Sequence, residues 1–211
     1  MMLGSFEINV LQKNAVSEEI QQIFDKATNI EGAKRELMLY LGKQEADCMN
    51  YAYISRTVPA TSNPAPCYEL IIVNVPYDNS NIKNYKFNAT TIIEDMGKGM
   101  LGGITCSSAE EATIRILNSL EADRFIRTFN SAVDNTKKIE KGTEEEMALV
   151  KKVQEYHYDV ELYLGYKPVA FANYYYIAEV KNRETEVKGI QLVTVNNPKE
   201  GSIIVEIKDI L

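Results

Sequence analysis

Cys106 and His157 are the first residues to weigh, because a thiol and an imidazole are what nucleophilic catalysis needs and the chain has one histidine. A thiol at a helix N-terminus sees the positive end of the helix dipole and unpaired N–H groups, and both favour the thiolate. Cys106 is followed by Ser107 and Ser108, with Glu110 and Glu111 three residues after each, the spacing of a capping box. A helix is therefore expected to start just after the cysteine. The only available imidazole base, His157, falls on a predicted helical stripe with Val150, Val153, Val160 and Leu164. A Cys106–His157 pair on two packed helices is one reading. The other is a core cysteine and a hydrogen-bonded core histidine, which is the commoner fate of both types.

The same stretch, GKGMLGGITCSS, holds Gly97, Gly99, Gly102 and Gly103. The first three match G-x-G-x-x-G, the spacing that lets a backbone approach a pyrophosphate. The context is wrong for that motif. Glu94 and Asp95 close the preceding strand and repel phosphate, and the helix starts several residues after the last glycine rather than at it. No Gly-Lys-Ser/Thr follows, so it is not a P-loop either. A small molecule or nucleotide bound on Gly97–Ser108, or a cysteine-dependent enzyme using it, stays as the alternative to a plain turn between elements.

Tyrosine supplies the other unusual feature. Of thirteen tyrosines, Tyr156, Tyr158, Tyr163, Tyr166, Tyr174, Tyr175 and Tyr176 are concentrated within a short span. Tyrosine gives large contact area at low entropy cost and keeps a polar tip, which suits protein interfaces. Tyr163, Tyr166, Tyr174 and Tyr176 are the expected contact residues. The primary expectation is a non-enzymatic protein acting through protein contacts, as an adaptor, an inhibitor or a subunit of an assembly, with a protein partner or a second copy.

Composition narrows the other classes. With 211 residues, 45% apolar and 25% charged, the chain can bury a sizeable core. A net charge of -7 without a basic stripe argues against nucleic acid. No apolar run is long enough to span a bilayer and no secretory leader is recognisable, so no membrane partner is expected. Cys48, Cys67 and Cys106 are odd in number and widely spaced, unlike a disulfide framework or a zinc set. The expected compartment is the reducing cytoplasm, with no metal and no cofactor.

These residues must be positioned by elements legible as periodicities. Phe6, Ile8 and Val10 alternate as a short strand. Ser17 caps a helix with Ile20, Ile23, Phe24 and Ala27 on one face. A second helix is expected from about Gly32 into the fifties, with the stripe Ala33, Leu37, Tyr40 or Leu41, Gln44, Cys48 and Tyr51. The proline-bearing loop 57–66 is the candidate sub-boundary in a single domain spanning 1–211. Residues 67–75 and 85–93 read as a strand pair. Helical stripes follow: Ala109, Ala112, Ile116 and Leu120; then Ala122, Phe125, Ile126, Phe129 and Val133. A last helix, capped by Thr143 with Glu146, runs through Leu149, Val153, Tyr156, Val160 and Tyr163. Three strands joined by short turns end the chain. Strands do not alternate with single helices, so the expected class is α+β, helices packed on an antiparallel sheet that includes a C-terminal three-strand meander. The first and last strands could lie in one sheet, and no internal repeat is evident.

Overall fold

A computed structural model describes residues 5–62, 66–78, 85–94, 105–106, 120–167, 172–197 and 201–211. The fold is α+β, and the chain separates into two compact units, Met1–Lys98 and Gly99–Leu211. The proline-bearing loop 57–66 is not where they divide. It joins two neighbouring strands of the first unit.

In the first unit, β1 (Glu7–Gln12) leads through a short 3-10 turn into α1 (Glu18–Thr28). Ser17 caps α1 as its type predicts: the hydroxyl accepts from the Ile20 N–H at 3.4 Å, and Glu18 and Glu19 occupy the first turn. The stripe Ile23, Phe24 and Ala27 is buried. Then come β2 (Ala33–Glu45), β3 (Met49–Pro59), β4 (Cys67–Val75) and β5 (Lys86–Glu94). All pair antiparallel in the order β1-β2-β3-β4-β5.

The helix expected from Gly32 onward is thus two strands. Five consecutive residues, Leu37 to Leu41, are buried to 3% or less. A helix hides one stripe, whereas a strand buried on both faces hides every residue of such a run. The helix-like spacing of Leu37, Tyr40 and Leu41 reflects this two-sided burial.

The second unit opens with the two-residue β6 (Thr105–Cys106). It continues with α2 (Leu120–Lys137), α3 (Glu144–Glu155), β7 (Tyr156–Lys167), β8 (Ala172–Asn182), β9 (Lys188–Asn197) and β10 (Ile203–Asp209). The capping box at the start of α3 is complete: Thr143 N donates to Glu146 Oε2 at 2.7 Å and Glu146 N to Thr143 Oγ1 at 3.2 Å. The predicted helix does not continue to Tyr163. Tyr156 is already extended, and β7 pairs with β8 along its length. Aromatic and β-branched residues from Tyr156 onward favour the strand once a partner satisfies the backbone. The expected C-terminal strands are present as β8, β9 and β10, and β7 extends them to a four-strand meander. The stripe Ala109, Ala112 and Ile116 lies outside the described residues. The first and last strands belong to different sheets, β1 to one and β10 to the other.

The chain does contain a repeat. The second sheet runs β6-β7-β8-β9-β10, the same order as β1 to β5. Leu39-Tyr40-Leu41-Gly42 in β2 recurs as Leu162-Tyr163-Leu164-Gly165 in β7, and Asn50-Tyr51-Ala52-Tyr53-Ile54 in β3 as Asn173-Tyr174-Tyr175-Tyr176-Ile177 in β8. Register follows the same correspondence: Tyr40 faces Tyr53 and Tyr163 faces Tyr176. Bulges fall at matching places, Leu37/Leu39 and Tyr40/Gly42 against Val160/Leu162 and Tyr163/Gly165. Gly42 and Gly165 both take positive φ, 148° and 136°. A Cβ at Gly42 would collide with the Glu7 carbonyl of β1, so the bulge brings two backbones too close for any side chain.

The cores repeat too. Phe24 of α1 meets Tyr53 at 5.2 Å between ring centroids, and Phe129 of α2 meets Tyr176 at 5.1 Å. Tyr53 Oη donates to the Ile20 carbonyl at 3.2 Å, and Tyr176 Oη to the Phe125 carbonyl at 3.3 Å. Each tyrosine therefore fills the core with its ring while its hydroxyl finds an acceptor on the covering helix. Strand chemistry elsewhere has diverged, which hides the repeat from a reading by composition. The helix α3, packed on α2, β7 and β10, is an addition of the second unit.

Candidate functional site: the tyrosine end of the second sheet

The catalytic pair is separated by its own strand. Cys106 lies in β6, its backbone opposite Gly165, and the helix start expected after it lies outside the described residues. His157 sits on β7, opposite Lys181 and exposed, not on a helical stripe. From His157 to Gly165 the strand advances eight residues, about 25 Å at roughly 3.3 Å per residue. Hydrogen-bonded general-base catalysis requires about 3 Å, so the pair cannot form there. The glycines Gly97, Gly99, Gly102 and Gly103, with Ser107 and Ser108, lie outside the described residues. Among the described residues no group of three or more His, Cys, Asp or Glu side chains could hold a metal ion. No helix among them is long and apolar enough to cross a membrane.

The four tyrosines share one face of the sheet and divide by depth. Tyr163 and Tyr176 are 4% and 0% exposed and belong to the core beneath α2. Burial, with the neighbouring Tyr163 and Tyr174 rings, pushes the Tyr176 hydroxyl above its usual range. They are not surface contacts: both occupy the positions that Tyr40 and Tyr53 fill in the first core. Tyr174 is half-buried against the core, with Phe125 at 6.3 Å and Tyr163 at 6.2 Å. Tyr166 is 39% exposed and lies directly opposite Tyr174, ring centroids 6.1 Å apart. The structure thus brings Tyr166 and Tyr174 together at the β7–β8 end and withdraws the other two.

This end is stiffened by a feature that the tyrosine count alone does not reveal. Asn173 of β8 faces Asn196 of β9, and the Asn196 amide donates to Asn173 Oδ1 at 2.7 Å. The first unit has the same bond in the same register, Asn74 Nδ2 to Asn50 Oδ1 at 2.6 Å. There Asn50 also donates to Gln44 Oε1 at 2.9 Å and accepts from the Cys48 thiol at 3.2 Å. The amide pair ties β8 to β9, and in the first unit Gln44 extends the counterpart to a third strand; an aromatic ring beside such a pair is presented from a braced backbone. The recurring N-Y-x-Y-I words are the sequence signal for this pair. An exposed ring braced by a half-buried one can supply a contact anchor, and β6 runs alongside it with Thr105 opposite Tyr166.

Comparison with protein-family models, with curated proteins and with solved structures finds no match for this chain.

Proposed function

We propose that the protein is non-enzymatic and acts through protein contacts made at the β7–β8 end of its second unit, with Tyr166 as the central anchor. The observation that carries this reading is the exposed Tyr166 ring braced by Tyr174 beside the Asn173–Asn196 pair. Interface hot spots are enriched in tyrosine held in place before binding, because a pre-ordered ring loses little entropy on contact. The separation of Cys106 from His157 along β7 takes support from the cysteine-enzyme alternative. The free thiol of Cys48 supports a reducing compartment, and we infer a cytoplasmic location.

A photo-crosslinking amino acid at position 166, with the same residue at 157 as the control, tests the assignment in cells of the source organism. His157 is also exposed and sits at the other end of β7. One discrete crosslinked species from 166 and none from 157 is expected. Tyr166→Ser should weaken the purified complex by about tenfold or more, as truncating an anchor worth over 1 kcal/mol does. Equal crosslinking from both positions, or unchanged affinity in Tyr166→Ser, overturns the proposal.

A further inference from the structure

We propose that a cavity at the opposite end of the second sheet binds a neutral polyhydroxylated small molecule of the monosaccharide class. The cavity has a volume of about 460 Å³, within the range of small-ligand sites. It opens where β8 turns into β9, and it owes its space to Gly189, which faces Val180 across the two strands. At Gly189 a Cβ would stand 3.1 Å from the Leu211 carbonyl, itself bound to the Ile190 N–H at 3.0 Å.

Its polar lining selects the ligand's chemistry. Gln191 lines the cavity and is 1% exposed. Its Nε2 donates to Asp209 Oδ1 at 2.8 Å, while its Oε1 is buried without any hydrogen-bond partner. A buried acceptor left alone is costly, and a donor from a bound molecule would relieve it. Asp209 stands beside it with acceptor capacity to spare. Asn182 Oδ1 is used by the N–H groups of Glu184 and Thr185, at 3.0 and 2.9 Å, which leaves its amide to donate. The Tyr156 ring adds an apolar surface of the kind on which a sugar face packs.

Charge argues for a neutral ligand. The charged side chains of the lining are already paired: Asp209 Oδ2 binds Lys152 at 2.8 Å and Lys188 binds Glu179 at 2.7 Å. Among the lining side chains an anion meets no unpaired cation, Arg183 beside them being turned to the Tyr156 carbonyl at 3.2 Å, and an ammonium group meets an aspartate already neutralised. What remains is a set of acceptors, an amide donor and a ring, the complement of vicinal hydroxyls on a C–H face.

The first unit shows that the fold does not produce this cavity automatically. Its counterparts of Gly189 and Gln191 by register are Cys67 and Glu69, opposite Thr57 and Ser55. Glu69 is satisfied by Thr57 Oγ1 at 2.6 Å and Arg35 Nε at 3.2 Å. Side chains thus occupy positions that the second unit gives to a glycine and a half-satisfied amide.

Saturation-transfer NMR and calorimetry on the full chain test the site, using glucose, galactose and mannose as probes, with glucosamine and glucuronate as charged controls. At least one neutral sugar should bind in preference to both charged ones. Gln191→Met, which keeps volume but removes the orphan acceptor, should weaken it about tenfold. Asp209→Asn, which keeps an acceptor for Gln191 Nε2 but loses the Lys152 ion pair, should also weaken it, with a cooperative melting curve showing that the variant is folded. No transfer from any neutral sugar overturns the proposal and leaves the orphan acceptor without a ligand role. Binding unchanged in both variants means an adventitious contact only and overturns it equally, as does preference for a charged probe.

Discussion

Phe24→Ala and Phe129→Ala test whether the two cores are versions of one design. Phe24 is 1% exposed and Phe129 fully buried, and each is tilted against a buried tyrosine at almost the same distance. Removing a buried phenylalanine costs about 3–5 kcal/mol in transfer and cavity terms together. The lost aromatic pair accounts for about 0.5–1.5 kcal/mol of that. The two variants should therefore lie within about 1 kcal/mol of each other. Each should loosen its own unit: Phe24→Ala the amides of β2 and β3, Phe129→Ala those of β7 and β8. Native-state hydrogen exchange read by mass spectrometry reports both the free energy and its location. If one variant costs less than about 1 kcal/mol and the other more than about 3 kcal/mol, the equivalence of the two aromatic centres is wrong.

Gly42→Ala should cost about 2–4 kcal/mol, from strain at φ 148° and the displacement of β1 from the Glu7 carbonyl; faster exchange at Ile8 and Leu11 would show it, and unchanged exchange would refute the close approach. Alkaline stability is set by buried tyrosines. Burial, with help from Tyr51 and Glu7, raises the Tyr40 hydroxyl from 10.0 to about 12, and burial raises Tyr53, Tyr158 and Tyr176 further. Their folded pKa values exceed the unfolded one, so the folded state holds protons that the unfolded state releases. Stability should be full below pH 10 and fall as pH climbs toward 12, by about 1.4 kcal/mol per pH unit for each such tyrosine. Denaturant melts at stepped pH, with tyrosinate absorbance as the second readout, check this; a flat profile across that window would contradict the burial.

The signals legible in sequence were those carried by one side chain and its near neighbours. Ser17, the Thr143–Glu146 box and the stripe Ile23, Phe24 and Ala27 each depend on contacts within a helical turn, and each is where its spacing predicted. The strand pair β4–β5 and the three last strands were bounded by turn residues and were equally readable. Leu37 to Leu41 and Tyr156 to Tyr163 were not. Their apolar positions fit a helix and a two-sided strand alike, and only a hydrogen-bonded partner strand decides between them. For the candidate site, tyrosine abundance was visible but depth was not. Tyr163, Tyr174 and Tyr176 look alike in the sequence, and which ring lies under α2 depends on the bulges at Val160/Leu162 and Tyr163/Gly165. Each bulge shifts the alternation by one residue and so exchanges the faces.

By itself the sequence determined the class of object: a chain apolar enough to bury cores, an α+β element mix and the local helix caps. It held the repeat as well, in the words LYLG and N-Y-x-Y-I, although these short words carry meaning only once their registers match. Tertiary structure alone decided that Cys106 and His157 stand apart, that Tyr166 is exposed while Tyr163 is buried, and that Gly189 opens a cavity beside an unsatisfied Gln191. The physical reason is that caps are satisfied within a turn of chain, whereas strand face, burial and cavity are fixed by partners brought in from distant segments.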